Sequence, residues 1–255
     1  MVIHARLAAL VALAILAVSC RGTLPPAIDP GMASCVPAGT LLVAGLDLGQ
    51  LRAGPLDGKL PLPEPLRDAG YLLLAFDGRD LLSIARGPFR ETPPGAALVA
   101  PNLAIAGPPG LVRAATAQHK RGTTGAPGLL SHAEPLAAGH EIWIVAQGGV
   151  TLPLAGNAAN LNGLLRAAEY VTITARVRAQ VDLDMTGVCR TEESARQFEE
   201  TVRGFFSLAA AAVARDRGLA ARLSSVEVRR GGLTVHATLS AAPEEAEKML
   251  GLLSR

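Results

Sequence analysis

Residues 171–178 alternate without a fault: Val171, Ile173, Ala175 and Val177 point one way, and Thr172, Thr174, Arg176 and Arg178 point the other. The return run keeps the phase, with Val181, Leu183 and Met185 set against Asp182 and Asp184. A period of two held through a turn is the mark of a β-hairpin with one apolar and one wet face. Arginines on one strand then face aspartates on the other, each pair contributing from a few tenths to ~1 kcal/mol. Any fold for this chain has to accommodate such a half-wetted antiparallel sheet.

A related unit lies 99 residues upstream. Leu66-Arg67-Asp68-Ala69-Gly70-Tyr71 falls on Leu165-Arg166-Ala167-Ala168-Glu169-Tyr170, and these are the only two tyrosines in the chain. At the same offset 41–46 falls on 140–145, Leu62 on Leu161, and Leu82 and Ile84 on Val181 and Leu183. Alternation conserved in phase matters because a one-residue slip turns every apolar side chain to the wrong face. The unit reads strand, short helix, hairpin. Asp77-Gly78 between apolar runs is a strong hairpin signal, because that turn needs positive φ.

The rest of the chain supplies short strands at 96–100 and 103–106 and a helix over about 111–119. It adds a long helix after Thr191 with the stripe Phe198, Val202, Phe205 and Ala209, a third hairpin over 226–239, and a last helix from Pro243. Helices interleaved with hairpins predict an α+β fold: largely antiparallel sheets with helices on one face, built from two related strand–helix–hairpin halves. The expected division is a leader at 1–19, a Pro-rich tether at 20–39, a first half at 40–119, a linker or mobile loop at 120–139, and a second half at 140–255.

The leader is defined by residues 7–18, twelve consecutive apolar residues after a single arginine. That is the length of a secretory h-region and too short for a spanning helix of ~20 residues. The run ends Leu16-Ala17-Val18-Ser19-Cys20, which resembles the lipobox of bacterial lipoproteins, with Ala17 where leucine is usual. The resemblance covers residues 1–20 only. It implies cleavage before Cys20 and lipidation of that cysteine, and Arg21 after it points to the outer membrane in a two-membrane cell. The partners expected are therefore the membrane, through the lipidated N-terminus, and an envelope protein. Cys35 and Cys189 remain as an even pair, so a disulfide tying the halves together and two buried thiols are both open readings.

Removing residues 1–19 leaves 23 basic and 22 acidic side chains, which gives no electrostatic case for nucleic acid. No nucleophile elbow, Ser-x-x-Lys, phosphate loop, dinucleotide turn or Cys-x-x-Cys occurs. His132, Glu134, His140 and Glu141 could in principle ligate zinc, but no i, i+4 histidine pair fixes them and a solvated loop is the simpler reading. No metal, cofactor or catalytic residue is therefore assigned. Arg67, Tyr71, Arg166 and Tyr170 are the candidate ligand-binding residues, set to grip an anion across a pseudo-twofold cleft; packing at a helix–strand corner is the alternative. The expected function is a lipid-anchored, non-enzymatic binding or scaffold domain of the cell envelope. A carrier of apolar ligand between the halves, and a hydrolase with no linear motif, are the rivals.

Overall fold

The computed structural model describes residues 27–55, 57, 68–89, 91–92, 95–152 and 161–253. Among these residues ten strands form one antiparallel sheet: β1 Leu42–Asp47, β2 Tyr71–Phe76, β3 Leu81–Arg86, β4 Ala96–Ala100, β5 Leu103–Ala106, β6 Ile142–Gln147, β7 Ala168–Val177, β8 Val181–Cys189, β9 Glu227–Gly231 and β10 Thr234–Ala241. Their order across the sheet is β4-β5-β3-β2-β1-β6-β7-β8-β10-β9. Among the described residues eight helices accompany them: α1 Pro30–Ala33, α2 Leu48–Arg52, α3 Pro109–Arg121, α4 Pro127–Ala137, α5 Leu161–Ala167, α6 Glu192–Ala212, α7 Arg217–Ser224 and α8 Pro243–Leu253. The α+β class is the one expected, and no described helix is long and apolar enough to cross a membrane.

The helices do not share one face. Val43, Leu73, Ala75, Leu82, Ile84, Trp143 and Val145 pack with Met32 of α1, Ala115 of α3 and Leu129, Leu130 and Ala133 of α4. Leu42, Phe76, Ala146, Val171, Met185, Val235 and Ala237 pack instead with Leu164 of α5 and with Phe198 and Val202 of α6. Adjacent strand residues point to opposite faces, so Leu42/Val43 and Val145/Ala146 place the two cores on opposite sides of the sheet. A third cluster, around Leu48, Leu51, Leu72, Val177, Val181 and Ala246, shares the face of the second. Local periodicity shows that a helix has an apolar stripe but not which face of a sheet receives it.

Strand order is the same on both sides of the β1–β6 pair: β1-β2-β3-β5-β4 and β6-β7-β8-β10-β9. The constant offset is not kept. Along one rung Ser83, Leu74 and Ala44 answer to Met185, Ile173 and Ile144, so the spacing drifts as the pairing moves outward. The helices also differ: α3 and α4 follow β5, whereas α6 and α7 precede β9. The short helix expected near 62–69 falls largely outside the described residues.

Two of the expected boundaries are corrected. Residues 27–39 are no tether, because Ile28, Met32, Cys35 and Val36 are buried in the first core. Asp29 caps α1 by accepting from the Met32 amide at 3.0 Å, and Pro30 suits the first helical position. Residues 120–139 are no linker either. They form the end of α3 and all of α4, whose composition hid it: Pro127 opens the helix and Pro135 stands inside it.

Two glycines in strands are fixed by large side chains. The Trp143 indole crosses β1 directly above Gly45, and the Phe198 ring lies on Gly187, so a methyl at either glycine would overlap the ring. Trp143 and Phe198 are the largest fully buried side chains. Each is the centre of one core.

Candidate functional site

At the end of the sheet where β1 finishes and β6 begins, Asp47 turns the chain into α2, its Oδ1 accepting from the Gln50 amide at 2.9 Å. The Asp47 amide donates to the Glu141 carbonyl at 2.8 Å, which brings the first turn of α2 beside β6. Glu141 is 2 % exposed. Its Oε2 accepts from the Val177 amide at 3.0 Å, and its Oε1 lies 3.0 Å from Nη2 of Arg178, whose side chain is 69 % exposed. A buried carboxylate requires such partners, since burying an unpaired charge is prohibitive.

These elements border an open hollow of about 410 Å3, lined by Gln50, Ala53, Gly54 and Pro55 of α2 and the residues after it on one side and by Glu141, Val177, Arg178 and Ala179 on the other. Its volume is in the ~300–1,000 Å3 range of small-molecule sites. Ala53, Pro55, Val177 and Ala179 give it apolar walls, and Gln50, Glu141 and Arg178 give it a polar one. It suits a ligand with an apolar body and one polar group.

Beside it runs an apolar band. One rung reads Leu74–Ala44–Ile144–Ile173–Met185–Ala237 across six strands. Leu74, Ile144, Ile173 and Met185 are only half-buried, between the α6 cover and the cluster around α2 and α8. A slot of about 90 Å3 opens there, under Phe206, between Ile173, Leu183, Met185 and Leu239.

A second polar cluster lies at α1. Ser34 Oγ donates to the Gly31 carbonyl at 2.8 Å and lies 2.7 Å from His119 Nδ1. Gln118 Nε2 donates to the Ser34 and Val36 carbonyls, and Arg86 pairs with Asp29 and Asn102. The cluster fastens residues 29–36 to α3 and β3.

The candidate residues named from sequence do not converge. Tyr71 opens β2 and accepts a hydrogen bond from Trp143 Nε1 at 2.8 Å. Tyr170, the third residue of β7, stacks on His132 of α4 with ring centroids 4.0 Å apart. Tyr71 pairs with Asp47 at one end of β1, whereas Tyr170 pairs with Gln147, whose amide reaches Leu41 at the other. Three strand spacings and six residues of β1 separate them, about 25 Å. Arg166 is exposed on α5, and Arg67 and Cys20 lie outside the described residues. No anion cleft forms from the described members of this set.

The candidate zinc ligands are likewise dispersed. His132 stacks on Tyr170, Glu134 accepts from the Ile28 amide, His140 Nδ1 meets the Leu136 carbonyl, and Glu141 serves β7. The disulfide is not formed. Cys35 and Cys189 are both buried and free, and they belong to cores on opposite faces of the sheet. An even cysteine count says nothing about faces, which is why the pairing looked plausible.

Burial pushes the Cys35 thiol from 9.0 up to about 11 and the Tyr71 phenol from 10.0 up to about 12. Both acids are held neutral in the folded state. The stability this gives is complete below the unfolded values and is lost as pH rises through the folded ones. Unfolding free energy is thus expected to fall between pH 9 and 12, with Tyr71→Phe flattening the upper part of that decline. Urea midpoints measured across the window for both proteins check this, and parallel curves would refute the role of Tyr71.

No protein-family model matches the chain, and no curated protein does. Among solved structures, crystal form I of TP0453 aligns with a TM-score of 0.47 at 10% identity, covering 91% of this chain and 99% of that one.

Proposed function

We propose that this chain is a lipid-anchored protein of the cell envelope whose body is a non-enzymatic binding domain, and that it takes its ligand in the hollow between α2 and the β7–β8 turn. The observation that carries the binding reading is the hollow itself, about 410 Å3 and lined from both sides, with the buried Glu141 at its polar side. The partly open apolar band beside it supports a ligand that is mostly hydrocarbon. The anchor is supported by the apolar run that ends at Cys20, and its outer-membrane placement by Arg21. The repeated strand order supports descent from two copies of a five-strand unit, each later given its own helices.

The amphipathic dye 1-anilinonaphthalene-8-sulfonate tests the hollow. Saturable fluorescence enhancement is expected with the mature protein and its loss with Ala53→Trp, which fills the space from the exposed end of α2. Equal enhancement by both, with both folded by circular dichroism, would remove the hollow as the site. The anchor is tested separately by intact mass, with Cys20→Ser expected to leave an unprocessed, unacylated precursor.

A further inference from the structure

Most of α6 is a conventional amphipathic helix, with Ala195, Phe198 and Val202 buried against the sheet. Its last turns are different. Residues 204–214 contain no charged side chain, and Leu208 is 69 % exposed, the most exposed large apolar residue among the described residues. Ala211 and Ala212 are exposed beside it, and Phe205 is only half-buried, edge-on to Phe206. Arg215 and Arg217 follow, exposed and without an ion pair among the described residues. An exposed apolar surface of this kind marks a contact site.

Its position says what it contacts. The first described residues enter at α1, where Asp29 pairs with Arg86, the last residue of β3. Arg86 pairs with Tyr71 at the start of β2, and Tyr71 with Asp47 at the end of β1. The next rung continues along the same end of the sheet through Leu46, Ile142, Ala175 and Leu183. The end of α6 lies here too. Phe206 shares a slot with Leu183 and Leu239, and beyond it Asp216 holds Lys248 of α8 at 2.6 Å, just after β10 ends. From Cys20 to Ala27 there are seven residues, a reach of at most ~25 Å. A lipid on Cys20 would keep this end of the sheet close to the bilayer.

We propose that the uncharged end of α6 is a membrane-docking surface and that its occupant is the bilayer that carries the Cys20 lipid. The inference rests on the anchor reading. Phe205, Leu208 and the alanines enter the acyl boundary, as the apolar face of an interfacial helix does, to a depth of ~5–10 Å. Arg215 and Arg217 extend from the same end toward anionic headgroups, their stems lying along the apolar surface. Docking would also set the mouth of the hollow near the membrane, since Glu141 and Val177 lie at this end.

The test uses the full lipidated protein in vesicles of phosphatidylethanolamine and phosphatidylglycerol with brominated acyl chains. Leu208→Cys and Leu233→Cys are each labelled with nitrobenzoxadiazole; Leu233 is 42% exposed at the opposite end of β10, and Cys35 and Cys189 are too buried to label. Quenching several-fold stronger at 208 than at 233 is expected, and its loss on adding Phe205→Glu. Equally weak quenching at both positions, in protein that still floats with the vesicles, would overturn the docking surface and leave the anchor intact. Protein that does not float, with an unmodified Cys20 by mass, would reject the anchor and this proposal with it.

Discussion

Replacing Trp143 by alanine is expected to lower the unfolding free energy by about 3–5 kcal/mol, the usual cost of removing a buried aromatic. The side chain is fully buried at the centre of the first core, and its Nε1 donates to Tyr71. Against a typical total of ~5–15 kcal/mol the loss is severe. Gly45→Ala alone should also destabilise, by ~1–3 kcal/mol or more, because the new methyl meets the indole on a central strand that cannot yield. In the Trp143→Ala background the same methyl has room. The two changes are therefore expected to be strongly non-additive, with a coupling of ~1 kcal/mol or more. Urea unfolding of the four proteins in that cycle measures it, and simple additivity would show that the indole does not dictate glycine at position 45.

Phe198→Ala should cost a similar ~3–5 kcal/mol, through the other core. The ring is 1% exposed, lies on Gly187 of β8 and anchors α6 to its half of the sheet. Because it sits on the opposite face from Trp143, the two truncations should add to within ~0.5 kcal/mol. Hydrogen exchange under mildly denaturing conditions should show β8, β9 and β10 losing protection in the Phe198→Ala protein before β2 and β3 do. Equal loss across all five strands would mean that the two cores open as one unit.

The hairpins were readable because their signals are local. Asp77 accepts from the Arg79 and Asp80 amides and Gly78 takes φ 96°, as the Asp-Gly pair implied. The alternation in 171–185 placed Thr172, Thr174, Asp182 and Asp184 on one face, and the register agrees. What escaped was decided by packing at a distance. Nothing near 127–137 shows that a proline-interrupted helix will be held by Trp143 and its neighbours. Nor does the sequence around Cys35 or Cys189 say which face either will occupy. Glu141 reads in the sequence as part of a solvated loop, whereas it is buried and accepts from the Val177 amide. Gly45 and Gly187 did carry a signal, since a lone glycine within a strand often marks a close approach by another group.

The position of the boundary between the cores bears on how the chain assembles. Buried members of the first core run from Ile28 to Val145, and those of the second from Ala146 to Ala237. The division falls between two adjacent residues of β6, whose alternate side chains serve opposite faces. A chain delivered amino end first therefore completes the sequence of its first core before most of the second has arrived. The third cluster waits longest, because Ala246 of α8 closes it. β6 is the strand on which a vectorially delivered chain passes from building one side of the sheet to building the other.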